Sequence, residues 1–214
     1  MRLILLSLLI LFVLPVSAEE SPQVEIQTSV GNILLELDIK NAPVTVANFL
    51  SYVDDGSYKD IIFHRVIAGF MIQSGGYYAD LSEAEVRGTI KNEADNGLKN
   101  KTGTIAMART NIIDSAARQF FINVNNNTNL DHRPDSCTRE DEAGAIAAAQ
   151  KGLNKPLTCK SFGYAVFGKV ISGMDVVRKI ERSATGYRAG HENMPLEPVF
   201  IENVIRTDSG DVSD

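Results

Sequence analysis

Short apolar runs broken by turn residues dominate this chain, and most recur at the spacing of strands. Gln23 to Ser29 and Asn32 to Asp38 are parted by Val30-Gly31, which predicts a hairpin. Ile61 to Val66, Phe70 to Ser74, Thr104 to Arg109, Gln119 to Val124, Tyr164 to Val170 and Val199 to Ile205 bring the set to about eight strands. They do not alternate with helices in a βαβ rhythm. The pattern therefore favours a mainly β fold, a closed eight-stranded antiparallel barrel, over a doubly wound parallel sheet.

Two amphipathic stretches interrupt the strands. Asn41-Ala42-Pro43 opens the first, with Asn41 or a neighbour as cap and Pro43 in the first turn. Val46, Phe49, Leu50 and Val53 follow at helical spacing until Gly56. Gly173 precedes the second, whose stripe is Val176, Val177 and Ile180. Both stripes read as lids over the ends of a barrel. A third stretch, about 133–160, differs in composition. Thr138 and Asp141 make a candidate capping box, with Glu140, Asp141 and Glu142 where carboxylates favour a helix dipole. Ala143 to Gln150 continues this helix and Lys151-Gly152 ends it, so the stretch is an extra helical excursion from the barrel.

The first eighteen residues stand apart. Arg2 is a short positive region, Leu3 to Val13 an unbroken apolar run, and Pro15-Val16-Ser17-Ala18 a small-residue cleavage site. The run is short for a membrane span. The reading is a signal peptide at 1–18 followed by one domain at 19–214, with an uncleaved anchor as the alternative. Export, most simply to a periplasm, and no stable membrane insertion after cleavage are the corresponding expectations. The formal net charge of −6, one unit more negative once Arg2 is removed, gives nucleic acid little to hold. Cys137 and Cys159 flank the helix of this excursion, and in an exported protein such thiols tend to oxidise. A disulfide closing that loop would contribute roughly 3 kcal/mol on the loop-entropy model.

One residue breaks the apolar logic. Arg65 sits inside Ile61-Ile62-Phe63-His64-Arg65-Val66-Ile67, where a guanidinium must be paired or face a groove that solvent reaches. Strict alternation would put Phe63, Arg65 and Ile67 on one face and His64 on the other, making His64 a satisfied core histidine. A cation beside aromatic and aliphatic surface suits an apolar ligand carrying a polar oxygen. The structural alternative is an arginine buried against a carboxylate. His132, His191 and the cysteines lack metal-ligand spacing, so no metal site is expected. Asp54-Asp55 and Glu140-Asp141-Glu142 read as solvated surface.

Four blocks, Phe63 to Gln73, Gly103 to Arg109, Gln119 to Asn123 and Phe167 to Val170, together resemble cyclophilins, the peptidyl-prolyl cis–trans isomerases, in order and spacing from about Val24 to Ile205. Lys91 to Leu98 and Phe162 to Gly168 are most similar to the bacterial exported branch. The resemblance implies that Arg65 is the catalytic arginine and that Phe70, Met71, Phe121 and Leu130 wall a proline pocket. It implies that Gln73 hydrogen-bonds the substrate backbone, Ala108 and Arg109 lie on the segment that pairs with a bound peptide, and Gln119 sits close to the arginine. Tyr164 stands where many members carry histidine. Asn129 replaces an aromatic found in many members, which implies weak cyclosporin binding. The implied chemistry is rotation about X–Pro bonds in proline-containing polypeptides, by a monomer without a cofactor. Two rivals remain: a proline-segment binding module or chaperone with little turnover, and a structural component of the cell envelope.

Overall fold

The computed structural model describes residues 21–153 and 159–207. The expected signal peptide at 1–18 lies outside the described residues. Ten strands and three helices follow the order β1 (Gln23–Thr28), β2 (Gly31–Leu37), α1 (Pro43–Asp54), β3 (Arg65–Ile67), β4 (Met71–Ser74), β5 (Thr104–Met107), β6 (Phe120–Asn123), α2 (Arg139–Gln150), β7 (Val166–Ser172), α3 (Met174–Glu181), β8 (Thr185–Arg188), β9 (His191–Pro195) and β10 (Ile201–Thr207). Eight of the strands form one curled antiparallel sheet in the order β10-β1-β2-β7-β5-β6-β4-β3.

The period-two alternation of β1 and β2 buries Val24, Ile26, Ile33, Leu35 and Leu37 on the inner face. The hairpin turn is Ser29-Val30, one residue earlier than expected, because Gly31 (φ 131°) already pairs with Thr28. Closure is less regular than a barrel of eight full strands. The edge strands β3 and β10 form no ladder with each other. The runs leading into them meet at a short seam, where Phe63 N–H donates to Val199 O at 2.9 Å and Ile201 N–H to Ile61 O at 2.7 Å.

That seam corrects one expectation. Residues 61–64 are irregular, so the strand is Arg65–Ile67 and the alternation does not extend back to Phe63. Phe63 and Val66 share the main core, while Arg65 and Ile67 face outward. The apolar stripes of both lid helices are buried as expected, and Phe49 of α1 packs between Phe120 and Phe167 at 5.6 and 5.2 Å. Each such fully buried side chain contributes roughly 1.5–3 kcal/mol. The N-terminus of α1 has no capping side chain at Ala42; Glu93 supplies it from a distant loop, accepting from Val44 N at 3.1 Å and from Thr45 N at 2.8 Å.

The excursion carries the expected helix. Thr138 and Asp141 form the capping box of α2, and Cys137 and Cys159 are joined in a disulfide with Cα atoms 5.3 Å apart. Glu142 is not solvated surface. It is buried, and its carboxylate accepts Ile113 N–H at 2.8 Å. Arg139 grips Asp114 through two bonds of 2.9 Å and lies over Phe162 at 4.9 Å. The excursion thus docks by a small core of its own, built from Ala94, Ile113, Cys159 and Phe162. Among the described residues, no helix is long and apolar enough to cross a membrane.

Candidate active site

In an antiparallel sheet, residues directly opposite each other share a face. The register of four neighbouring strands therefore writes two rows. Val66, Ile72, Ile122 and Ile105 pair successively and point into the main core. Displaced along the strands, Arg65 pairs with Gln73, Gln73 with Phe121 and Phe121 with Ala106. This second row faces outward. Arg65 and Gln73 are half-buried in it, and Phe121 and Ala106 belong to a second apolar cluster with Met71 and Val166.

Irregular segments complete the cluster. Phe70 ends the β3–β4 turn, which Gly69 (φ 72°) makes possible and Glu181 of α3 anchors by accepting Gly69 N–H at 2.8 Å. Burial alone would raise the Glu181 carboxyl, but hydrogen bonds from Arg178 and Gly69 and the charges of Arg178 and Arg182 hold it below the usual range. The Phe70 carbonyl accepts from Asn127 Nδ2 at 2.7 Å and from Val124 N at 3.1 Å, so that ring hangs from a fixed backbone. Leu130 comes from a turn of 3₁₀ helix, Thr128–Leu130, and its carbonyl accepts Tyr164 N–H at 2.9 Å. The Tyr164 ring meets Phe121 edge-on at 5.8 Å.

A cavity of about 190 Å³ results. Arg65 and Gln73 form its polar side, and Phe70, Met71, Phe121 and Leu130 its apolar side, with Ala108, Arg109 and Tyr164 along the rim. Arg65 Nη1 donates to Gln73 Oε1 at 3.2 Å, and Gln73 Nε2 donates to Gln119 Oε1 at 2.9 Å. No carboxylate among the described residues pairs with Arg65. The guanidinium is therefore oriented by a neutral amide chain and keeps its charge toward the cavity.

The remaining expected residues lie beside this cavity. Gln119 lines an adjoining cavity of about 340 Å³, which shares Gln73, Ala108 and Arg109 with the first, and it is joined to the Arg65 row by the hydrogen bond from Gln73. Ala108 N–H is already donated to Gln119 O at 2.9 Å, and the Arg109 guanidinium is occupied by backbone carbonyls. A larger groove of about 1090 Å³ runs past Glu36, Lys99 and Lys169. Its Lys169 is already paired with Glu36 at 2.8 Å, and it contains none of the Arg65 row.

His64 and Tyr77 are the neighbours that alternation did not flag. His64 is buried edge-on against Tyr77 at 4.8 Å and meets the Gln119 side chain, yet its Nδ1 has no partner. It is thus a core histidine only partly satisfied. Burial, reinforced by the nearby His191, lowers its pKa to about 4, so the ring is neutral beside Arg65. Nothing local in the sequence marks this; only the irregular seam turns His64 toward Gln119.

Known proteins resemble this chain in sequence and in fold. Residues 23–206 match the family model described as cyclophilin type peptidyl-prolyl cis-trans isomerase. The chain is 44% identical over 187 residues to peptidyl-prolyl cis-trans isomerase A of Dickeya dadantii, covering 87% of this chain and 85% of that one. It is 46% identical over 180 residues to a peptidyl-prolyl cis-trans isomerase of Streptomyces antibioticus, covering 84% and 95%. A crystal structure of a cyclophilin type isomerase of Cryptosporidium parvum superposes with a TM-score of 0.63 at 22% identity, over 88% of this chain and 98% of that one, which speaks to the fold. The same protein was crystallised in the presence of the dipeptide Ala-Pro. A matching family model over nearly the whole described chain, two bacterial relatives and a shared fold lead to one conclusion: the chain belongs to the cyclophilin-type peptidyl-prolyl cis–trans isomerases.

Proposed function

We propose that the cavity beside Arg65 binds the proline ring of an extended polypeptide and accelerates rotation about the preceding peptide bond. The barrier to that rotation, about 18–20 kcal/mol for peptide bonds generally, comes from conjugation of the amide nitrogen with its carbonyl. At the twisted transition state the nitrogen is pyramidal and carries a basic lone pair. A guanidinium donor placed against it is stabilising there and has no such acceptor in either planar state, which is the differential binding that catalysis requires. Phe121, Met71 and Leu130 would hold the ring, with Phe70 closing the pocket beneath it. Gln73 would orient Arg65 while its remaining N–H meets the substrate backbone.

The observation that carries this reading is the row Arg65–Gln73–Phe121, one unpaired cation set in register beside an apolar wall. The reaction breaks no bond, so its chemistry calls for neither nucleophile nor redox partner. The 1–18 pattern and the Cys137–Cys159 disulfide support an exported protein, most simply periplasmic, whose substrates are folding exported chains.

A protease-coupled assay on a chromogenic peptide with an Ala-Pro bond tests the proposal. Arg65→Ala should lower kcat/KM by about a hundredfold to a thousandfold, corresponding to about 3–4 kcal/mol of transition-state stabilisation. Its thermal midpoint should barely move, since no ion pair is lost. Equal rates for the variant and the unaltered protein would remove Arg65 from the mechanism.

A further inference from the structure

Arg109 stands at the rim of the apolar cavity, where a free guanidinium would be expected to meet a peptide. Its donors are instead spent inside the protein. Nε donates to Gly163 O at 2.8 Å, Nη2 to Cys159 O at 2.9 Å and Lys160 O at 3.1 Å, and Nη1 to Thr110 O at 2.9 Å. Its plane lies over the Tyr164 ring at 4.8 Å. That ring meets Phe121 edge-on, and Tyr164 N–H is bonded to Leu130 O. The backbone gripped by Arg109 is the return of the excursion, and its first acceptor, Cys159, is the disulfide partner of Cys137.

We propose that Arg109 is a positioning residue that, together with the Cys137–Cys159 disulfide, fixes the Tyr164–Phe121–Leu130 wall of the proline pocket, so that the excursion sets substrate affinity rather than the rate of rotation. The proposal rests on the isomerase reading of the pocket. The arrangement calls for arginine. A planar fork can satisfy several divergent carbonyls at once and still stack on an aromatic face, whereas a lysine ammonium is a point donor without a plane. The carbonyls of Cys159, Lys160 and Gly163 converge only because the loop returns at that place, which the disulfide helps to hold. The wall would touch the proline ring equally in the planar and twisted states, so loosening it should weaken both alike.

The measurement is KM and kcat for the Ala-Pro peptide, together with the dissociation constant of a non-cleavable Ala-Pro peptide from an NMR titration. Arg109→Ala should raise KM and the dissociation constant about tenfold while kcat stays within about twofold, the signature of lost uniform binding. Arg109→Lys should not rescue it. Replacing both cysteines, Cys137→Ser with Cys159→Ser, should raise the same constants severalfold. Adding these to Arg109→Ala should bring little further loss, because all three act through one wall. Unchanged affinity in Arg109→Ala, an effect confined to kcat, or full additivity with the cysteine changes would each overturn the proposal. Thermal midpoints accompany every variant; should Arg109→Ala fail to fold, the Arg109→Lys and cysteine variants carry the same comparison. If the unaltered protein proves inactive but binds the peptide, the isomerase reading fails alone, and the dissociation constants still decide the role of Arg109.

Discussion

Gly75 and Gly76 decide how close the Arg118-Gln119 backbone can lie to β4. A Cβ on Gly75 would come within 2.7 Å of the Arg118 carbonyl, and the residue also sits at φ 95°. A Cβ on Gly76 would meet the Gln119 side chain instead, at 2.5 Å from its Nε2. The two substitutions should therefore separate. Gly75→Ala should cost about 2 kcal/mol or more in a urea titration, since rigid backbone stands in the way and strained φ adds to it. Gly76→Ala should leave stability within about 1 kcal/mol but push Gln119 off Gln73, lowering isomerase kcat by roughly tenfold. That figure equals about 1.4 kcal/mol of lost orientation at Arg65. The reverse ranking would mean that Gln119 does not transmit to Arg65. At this scale the motif Phe63 to Gln73 made Arg65, Phe70, Met71 and Gln73 legible, because the chemistry of each side chain and its offset along one strand travel together. Arg118 gave no such sign. It is buried, donates to Ser57 O at 2.7 Å and Glu85 O at 2.9 Å, and lies over the Tyr52 ring at 5.0 Å, all contacts that arrive from far along the chain.

Elements whose signals are local were readable, and those stabilised from afar were not. The capping box of α2 involves residues three apart, so Thr138 and Asp141 announce it. The cap of α1 is Glu93, which binds Val44, Thr45 and the Thr45 hydroxyl from nearly fifty residues away. Asn41 looked like the better cap; it instead donates to Asp38 and leaves the helix end to Glu93. Glu93→Ala should cost about 1–2 kcal/mol, the range of a lost N-cap, seen as a lower urea midpoint with an unchanged slope. A shift below about 0.3 kcal/mol would show that solvent caps α1 equally well. The hairpin β8–β9 escaped the sequence reading for a related reason. Its residues are exposed or half-buried apart from Met194 and Pro195, with Gly186 and Asn193 inside the strands, so no apolar period marks it.

Over the whole molecule, the buried His64 links the site to acid stability. Its pKa is about 4 in the native state against about 6.5 for an unperturbed histidine, so the native state binds the proton less readily than the unfolded chain does. Stability must then fall as pH drops from above 6.5 toward 4, by about 2 kcal/mol at pH 5 relative to pH 7.5. His64→Gln should flatten the dependence of the urea midpoint between those two values. A slope that persists in the variant would place the titrating group elsewhere. The disulfide, closing a separation of 22 residues, adds roughly 3 kcal/mol on the loop-entropy model.

By itself the amino-acid order determined the three helices and the runs that supply the main sheet, though not the β8–β9 hairpin, and also that Arg65 needed a special environment and which family supplies one. Those properties depend on side-chain type and short spacing, which the chain carries in one dimension. Only the tertiary structure decided that the runs leading into β3 and β10 meet at an irregular seam, that His64 turns toward Gln119, and that the Arg109 guanidinium bonds the backbone at Cys159 and Gly163. Each of those depends on backbone carbonyls and rings brought together across long sequence separations, where no periodicity links the partners and only the closed packing of the sheet selects them.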